Sequence, residues 1–270
     1  MESPDFTLIA ENLTFAYPGG VPVIDDLGLE IRGGQILGLA GQNGAGKSTL
    51  LDLLAGLKKP TRGRVSLTGT SPPAGPDCPI NPKGPKGPKG QAKGPADAPN
   101  GHSTGPKGRV GRPKVALLPQ NVDFFLLGDS PREDLALALG PIMARDREAR
   151  IDAIAASWDL SDHLDRPVET LSLGQKKRLA LASSLATDPR LLLLDEPFSG
   201  LDWPGSLRFL EDLKKLPEKN LIVVLATHEP ALVADLVSLW LLMKPGAYLL
   251  AEPEVALKRL EEFGARPLGR

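Results

Sequence analysis

Three stretches of the chain are almost continuously apolar: QILGLAG (35–41), RLLLLDE (190–196) and LIVVLATH (221–228). Short runs without apolar/polar alternation predict strands buried on both faces of a parallel sheet. Other stretches keep helical spacing. KSTLLDLLAGL (47–57) is one, with Gly56 placed to end it. SPREDLALAL (130–139) is another, opening with Ser130 as N-cap, Pro131 at the first helical position and Glu133 completing a capping box. LSLGQKKR (171–178) repeats the device with Ser172 and Gln175, and Leu179, Leu181 and Leu185 then supply a stripe for burial. Residues from about 130 to 187 therefore read as mostly helical. The whole pattern is α/β with an inserted helical lobe.

Composition narrows this picture. A chain of 270 residues can bury a sizeable core, as one compound domain or two small ones. Its net charge of −1 gives no global attraction to nucleic acid. The single Cys78 excludes a disulfide framework and a cysteine-based metal site, and fits a reducing compartment. The opening MESPDFTLIAENL has neither the basic flank nor the apolar run of a secretory signal. LVADLVSLWLLM comes closest to a membrane span, but it is too short and Asp235 interrupts it.

One segment stands apart. Residues 71–113 are crowded with Pro, Gly and Lys, and between 81 and 114 eight basic side chains face the lone acid Asp97. That stretch carries +7 and leaves the remainder at −8. With few apolar side chains it cannot offset its ordering entropy, so it reads as a disordered basic insertion. Such a loop suits contact with anionic lipid or RNA, or is a solvated insertion without a partner.

The candidate chemistry begins at GQNGAGKST, Gly41 to Thr49, between a predicted strand and a predicted helix. A triphosphate needs a concave ring of backbone N–H donors, and glycines let the chain approach closely and adopt unusual φ values. The helix N-terminus adds partial positive charge. In this G-x-x-x-x-G-K-[ST] pattern Lys47 reaches the β- and γ-phosphates and Ser48 offers its hydroxyl to Mg²⁺. Asp195, at the end of an apolar strand, is placed to hold the metal, and Glu196 beside it is placed as a general base. Taken alone, the pair reads first as an ordinary strand end with two solvated acids; the phosphate loop turns the reading to chemistry. His228 ends the next apolar run, where an imidazole can contact the γ-phosphate and fix the attacking water.

These motifs, in this order, resemble the ATP-binding cassette ATPases over nearly the whole chain apart from the insertion and the last thirty residues. The resemblance implies a P-loop NTPase (RecA-like) parallel-sheet core, an N-terminal antiparallel β part and an inserted helical subdomain. It places one ATPase domain over 1–270, with the helical subdomain and signature at 121–187; beyond it, residues 231–270, with MKPGAYLLAEPEVALKRL, read as a closing hairpin and helix that pack on the core. It also places ATP and Mg²⁺ on Asn43, Gly44, Ala45, Gly46, Lys47, Ser48 and Thr49, with Tyr17 of FAYPGG stacked on adenine. Gln120 of LLPQN matches the glutamine that joins the metal, held by Ser48 and Asp195, to the helical lobe. Glu196, His228 and Gln120 form the implied catalytic set. LSLGQ matches the family signature, so Ser172, Gly174 and Gln175, with Asp202 of SGLD, would serve the ATP of a facing subunit.

The departure is Leu173, where the commonest signature has glycine; LSxGQKKR and LLPQNVDFFLLGDSPREDL look like the cobalt and energy-coupling-factor importers. That implies an ATPase that binds peripherally to the cytoplasmic face of an integral membrane subunit and pairs as a homodimer or with a sister ATPase. It would drive uptake of a metal ion or vitamin. The alternative is a soluble cassette ATPase acting on nucleic acid or ribosomes. Against it stand the single P-loop and the lack of a long heptad segment.

Overall fold

The computed structural model describes residues 6–69, 115–140, 144–216 and 221–266. The proposed 71–113 insertion lies outside the described residues. Two sheets organise what is described. β1 (Phe6–Ala16), β2 (Pro22–Arg32) and β4 (Arg62–Gly69) form an antiparallel sheet in the order β2-β1-β4. β3 (Ile36–Gly41), β5 (Val115–Leu118), β6 (Leu191–Asp195), β7 (Ile222–Ala226), β8 (Leu239–Lys244) and β9 (Ala247–Ala251) form the second, in the order β5-β6-β7-β3-β8-β9. All its pairs are parallel except the β8–β9 hairpin.

The unbroken apolar runs follow from two cores, one on each face of the larger sheet. Leu191 and Leu193 of β6, with Ile222, Val224 and Ala226 of β7, enter the core shared with the antiparallel sheet and α1 (Lys47–Leu54). Leu192, Leu194, Val223 and Leu225 enter the other, shared with the helices α4 (Leu173–Ala186) and α5 (Trp203–Lys214). Each of these residues is therefore apolar whichever way it points. Gly38 in β3 is explained by the neighbouring strand: a Cβ there would lie 2.5 Å from the Trp240 ring, which occupies that space.

The predicted helices exist. Ser172 and Gln175 form the expected capping box, the serine Oγ accepting from Gln175 N at 3.3 Å and Gln175 Oε1 from Ser172 N at 2.8 Å. Leu179, Leu181 and Leu185 are buried. α2 (Pro131–Leu139) begins as expected, with Pro131 in its first turn and Ser130 Oγ accepting from Glu133 N. The return contact differs: Glu133 Oε2 accepts from Asp129 N at 3.0 Å, one residue earlier than a capping box requires. α2, α3 (Ala144–Ser157) and α4 pack together, and the buried Asp134 ties them to the loop ahead of α2. Its carboxylate accepts from Leu127 N, Gly128 N and Ser183 Oγ. After the one-turn α6 (Pro230–Val233) and the β8–β9 hairpin, the described residues finish with α7 (Pro253–Ala256) and two 3₁₀ turns. Short turns stand there in place of a single helix, and Leu260 and Phe263 are buried in the core from this segment.

Candidate active site

The loop after β3 is shaped by its glycines. A Cβ on Gly41 would fall 1.9 Å from the carbonyl oxygen of Met243, so only glycine lets β3 end this close to β8. Gly44 and Gly46 have φ of 77° and 98°, in the left-handed region. Gly46 is also the N-cap of α1 and gives that helix no side-chain cap, so its first N–H groups face the loop's concavity. Lys47 is buried, and its Nζ donates to the carbonyls of Gly41 (2.9 Å) and Gln42 (3.2 Å). Burial pushes its ammonium down, opposed by the carboxylates of Glu196 and Asp195. A triphosphate in the loop would offer Lys47 stronger acceptors than two neutral carbonyls.

Asp195 closes β6 in register with Ala226 of β7 and is hydrogen-bonded by Ser48. Burial raises its carboxyl, while Ser48 and Lys47 pull the other way. A hydroxyl and a carboxylate already in contact, at the mouth of a phosphate loop, form an oxygen donor set that fits Mg²⁺. The site of the proposed general base is more strained. Glu196 has φ 48°, a left-handed conformation that costs a non-glycine residue about 1–3 kcal/mol. It is held there by its own N–H, donating to Ala226 O at 3.0 Å, and by His228. His228 N donates to Glu196 Oε2 at 3.0 Å, and His228 Nε2 lies 3.1 Å from Oε1. Burial lifts the Glu196 carboxyl, against the pull of His228 and Lys47. A buried carboxylate with a raised affinity for protons is the arrangement a base needs.

The remaining predicted residues fall into two groups. Tyr17 is 46% exposed, packs edge-on against Phe15 and shares a 3.1 Å hydrogen bond with Thr49, so the proposed adenine platform is tied to the phosphate loop. Ala45 is buried. Gln120 Nε2 donates to Ser199 Oγ at 3.2 Å, a contact with the loop after Glu196 and not with Ser48 or Asp195. Ser172, Gly174 and Gln175 make no hydrogen bond to 41–49 among the described residues; they head α4 instead. Asp202 caps α5 through Gly205 N. Leu173 lies over Gly200, where a Cβ would come 2.9 Å from Leu173 Cδ2. The bulk that the signature gains at 173 fits because residue 200 has no side chain.

Two participants escaped the sequence reading. His163 supports the cap: Gln175 Oε1 is committed to Ser172 N, and Gln175 Nε2 donates across 2.7 Å to His163 Nε2. Lys177 is almost fully buried under residues 196–199. A lysine four residues before Leu181, on the same apolar helix face, was the available signal.

Comparison with known proteins identifies the family. Residues 24–199 match the ABC transporter family. The chain is 36% identical to the cobalt import ATP-binding protein CbiO of Rhodobacter capsulatus over 96% of its own length and 85% of the relative's. It is 30% identical to the energy-coupling factor transporter ATP-binding protein EcfA of Methanocaldococcus jannaschii, over 83% and 70% of the two chains. The solved structure of cbiO1 from Clostridium perfringens, part of the ABC transporter complex cbiONQ, superposes with a TM-score of 0.69 at 23% identity, covering 97% and 93% of the two chains. A phosphate loop between strand and helix, two acids at the end of β6, one strand removed from β3 in the same sheet, and a family match over both motifs lead to one assignment: this chain is an ATPase of the ABC transporter family.

Proposed function

We propose that the chain is the ATP-hydrolysing subunit of an importer, bound to the cytoplasmic face of an integral membrane subunit and supplying ATP-driven closure for uptake of a metal ion or vitamin. The observation that carries the enzymatic part is the Glu196–His228 pair at the ends of adjacent parallel strands, beside the phosphate loop. The likeness to cobalt and energy-coupling-factor ATPases supports the importer reading. No helix of the described residues is long and apolar enough to cross a membrane, which is consistent with a separate membrane partner. Leu127 and Leu137, both exposed, line a groove on the helical lobe with Ala136, Asp129, Glu133 and Arg147, a mixed apolar and charged surface where such a partner can seat.

In this reading Lys47 turns from its two carbonyls to the β- and γ-phosphates, and the α1 N–H groups hold the same anion. Ser48 and Asp195 would hold Mg²⁺, which supplies charge neutralisation at those phosphates when bound. Glu196 takes the proton of the attacking water, and His228 fixes the carboxylate and the water's direction. Tyr17 stacks on adenine. Two subunits close head to tail, so that Ser172, Gly174 and Gln175 of one meet the γ-phosphate bound to the other, with Asp202 beside them.

Glu196→Gln tests this directly. The amide keeps the shape and removes the proton acceptor, so hydrolysis should fall by roughly 10²–10⁴-fold while ATP still binds. A closed dimer should then accumulate with ATP and not with ADP, read by size-exclusion chromatography with light scattering. Turnover at the parent rate would remove Glu196 from the mechanism.

A further inference from the structure

The loop from Glu196 to Ser199 leaves three carbonyls pointing at one place, and a single lysine fills it. Lys177 Nζ donates to the carbonyl oxygens of Pro197 (2.7 Å), Ser199 (2.7 Å) and Glu196 (3.4 Å). The residue is 1% exposed, and no carboxylate lies within ion-pair distance of it among the described residues. A buried ammonium is costly unless each of its three N–H groups finds an acceptor, and here each does. Burial drives its pKa down to about 8, with the Glu196 carboxylate opposing.

The position of this lysine matters more than its burial. It sits on α4, one and a half turns after the Ser172 cap and on the same helix as Gly174 and Gln175. Its three acceptors form the turn that begins at Glu196, whose left-handed backbone must be held from outside. Glu196 O also accepts from Ser199 N at 3.1 Å within the turn; Glu196 N donates to Ala226 O of β7, and Ser199 Oγ accepts from Gln120 Nε2, so α4, β7 and the segment after β5 all hold the turn. Leu173, one helical turn earlier on α4, packs over Gly200 at the far end of the same loop.

We propose that Lys177 is a positioning residue for hydrolysis: through its three hydrogen bonds it fixes the Glu196–Ser199 turn to the signature helix, so that engagement of α4 with the facing subunit's ATP sets the general base of its own chain. This rests on the reading of Glu196 as the base and adds the link between the two sites. A neutral side chain of similar length offers the loop fewer donors and no charge.

The test uses the full-length chain. Lys177→Met, Lys177→Gln and Lys177→Arg are each measured for equilibrium ATP binding and for kcat, alone and combined with Glu196→Gln. Lys177→Met should keep the ATP Kd within about twofold and lower kcat roughly 10–100-fold, the cost of a base displaced by about an ångström. Lys177→Gln, with two donors, should recover part of that loss. In the Glu196→Gln background the same substitutions should change the residual rate by less than about twofold, because a residue acting through Glu196 has nothing left to position. If Lys177→Met does not fold, Lys177→Gln and Lys177→Arg are judged by the same criteria. Unchanged kcat, a proportional loss of ATP binding, or a loss that multiplies undiminished onto Glu196→Gln overturns the proposal. Parent-rate turnover by Glu196→Gln alone identifies a failure of the base assignment instead.

Discussion

At the scale of single residues, the site is governed by burial acting on charge. Glu196 is surrounded by Asp195, Lys47 and His228, and desolvation prevails over the last two to keep its proton affinity above the usual carboxylate range. The base works only when ionised, so kcat/KM should fall as pH drops through a value above 4.5. For stability the sign is the reverse of an ion-paired acid. In the window between 4.5 and the raised folded value, the native state holds more protons than the unfolded chain, so this group adds stability as pH falls. A pH–rate profile on the wild type sets the acid limb, and a limb at or below 4.5 would contradict the burial argument. Gly200 offers a second residue-level test. At φ 76° an added Cβ is strained by about 1–2 kcal/mol and also meets Leu173 Cδ2. Gly200→Ala should therefore destabilise, and adding Leu173→Gly should recover the steric part only, as read from urea midpoints. Full recovery would mean that the backbone conformation carries no cost.

At the scale of elements, α4 has two tasks that share one end. Its capping box satisfies the Ser172 and Gln175 N–H groups, with His163 holding the glutamine from behind. The same N-terminus presents positive potential outward, which suits the γ-phosphate of a facing chain. Ser172→Arg separates the tasks. It should abolish steady-state hydrolysis, because a bulky cation fills the phosphate position, yet leave ATP binding to the single chain nearly intact. The lost cap should cost about 1 kcal/mol of stability, too little to unfold the domain by itself. Equal loss of binding and hydrolysis would place the signature in its own chain's site or limit it to folding.

At the scale of the molecule, the larger sheet separates two cores and brings the chemistry to one edge. β3, β6 and β7 are parallel neighbours, so their C-terminal ends deliver Gly41, Asp195 and Ala226 side by side. The loops that leave those ends carry Lys47, Glu196 and His228 into one cluster, although 181 residues separate the first from the last. The antiparallel sheet contributes Tyr17 from the end of β1, over the start of α1. Residues 253–266 close the opposite core, and Gln42 N donates to Phe263 O at 3.0 Å, which ties this segment to the phosphate loop.

Much of this was legible in the order of residues. Continuous apolar runs marked buried parallel strands because both faces of that sheet are covered, and GQNGAGKST carries the glycines that its backbone requires at Gly41, Gly44 and Gly46. Ser172 and Gln175 announced their capping box because a cap is a local interaction within four residues. Interactions across the chain were not legible. The sequence marks Lys177 as one more helical cation; only the packing of α4 beneath residues 196–199 makes it a buried ligand of three carbonyls. Leu173 looks like a departure until Gly200 is seen beneath it, and Gly38 looks dispensable until Trp240 is seen across it. Glu133 shows how close the two levels can run, its carboxylate reaching Asp129 N instead of the cap residue's own amide. Local hydrogen-bond geometry is written in three or four neighbouring residues, whereas burial and the partners of a buried charge depend on segments that meet only when the sheets close.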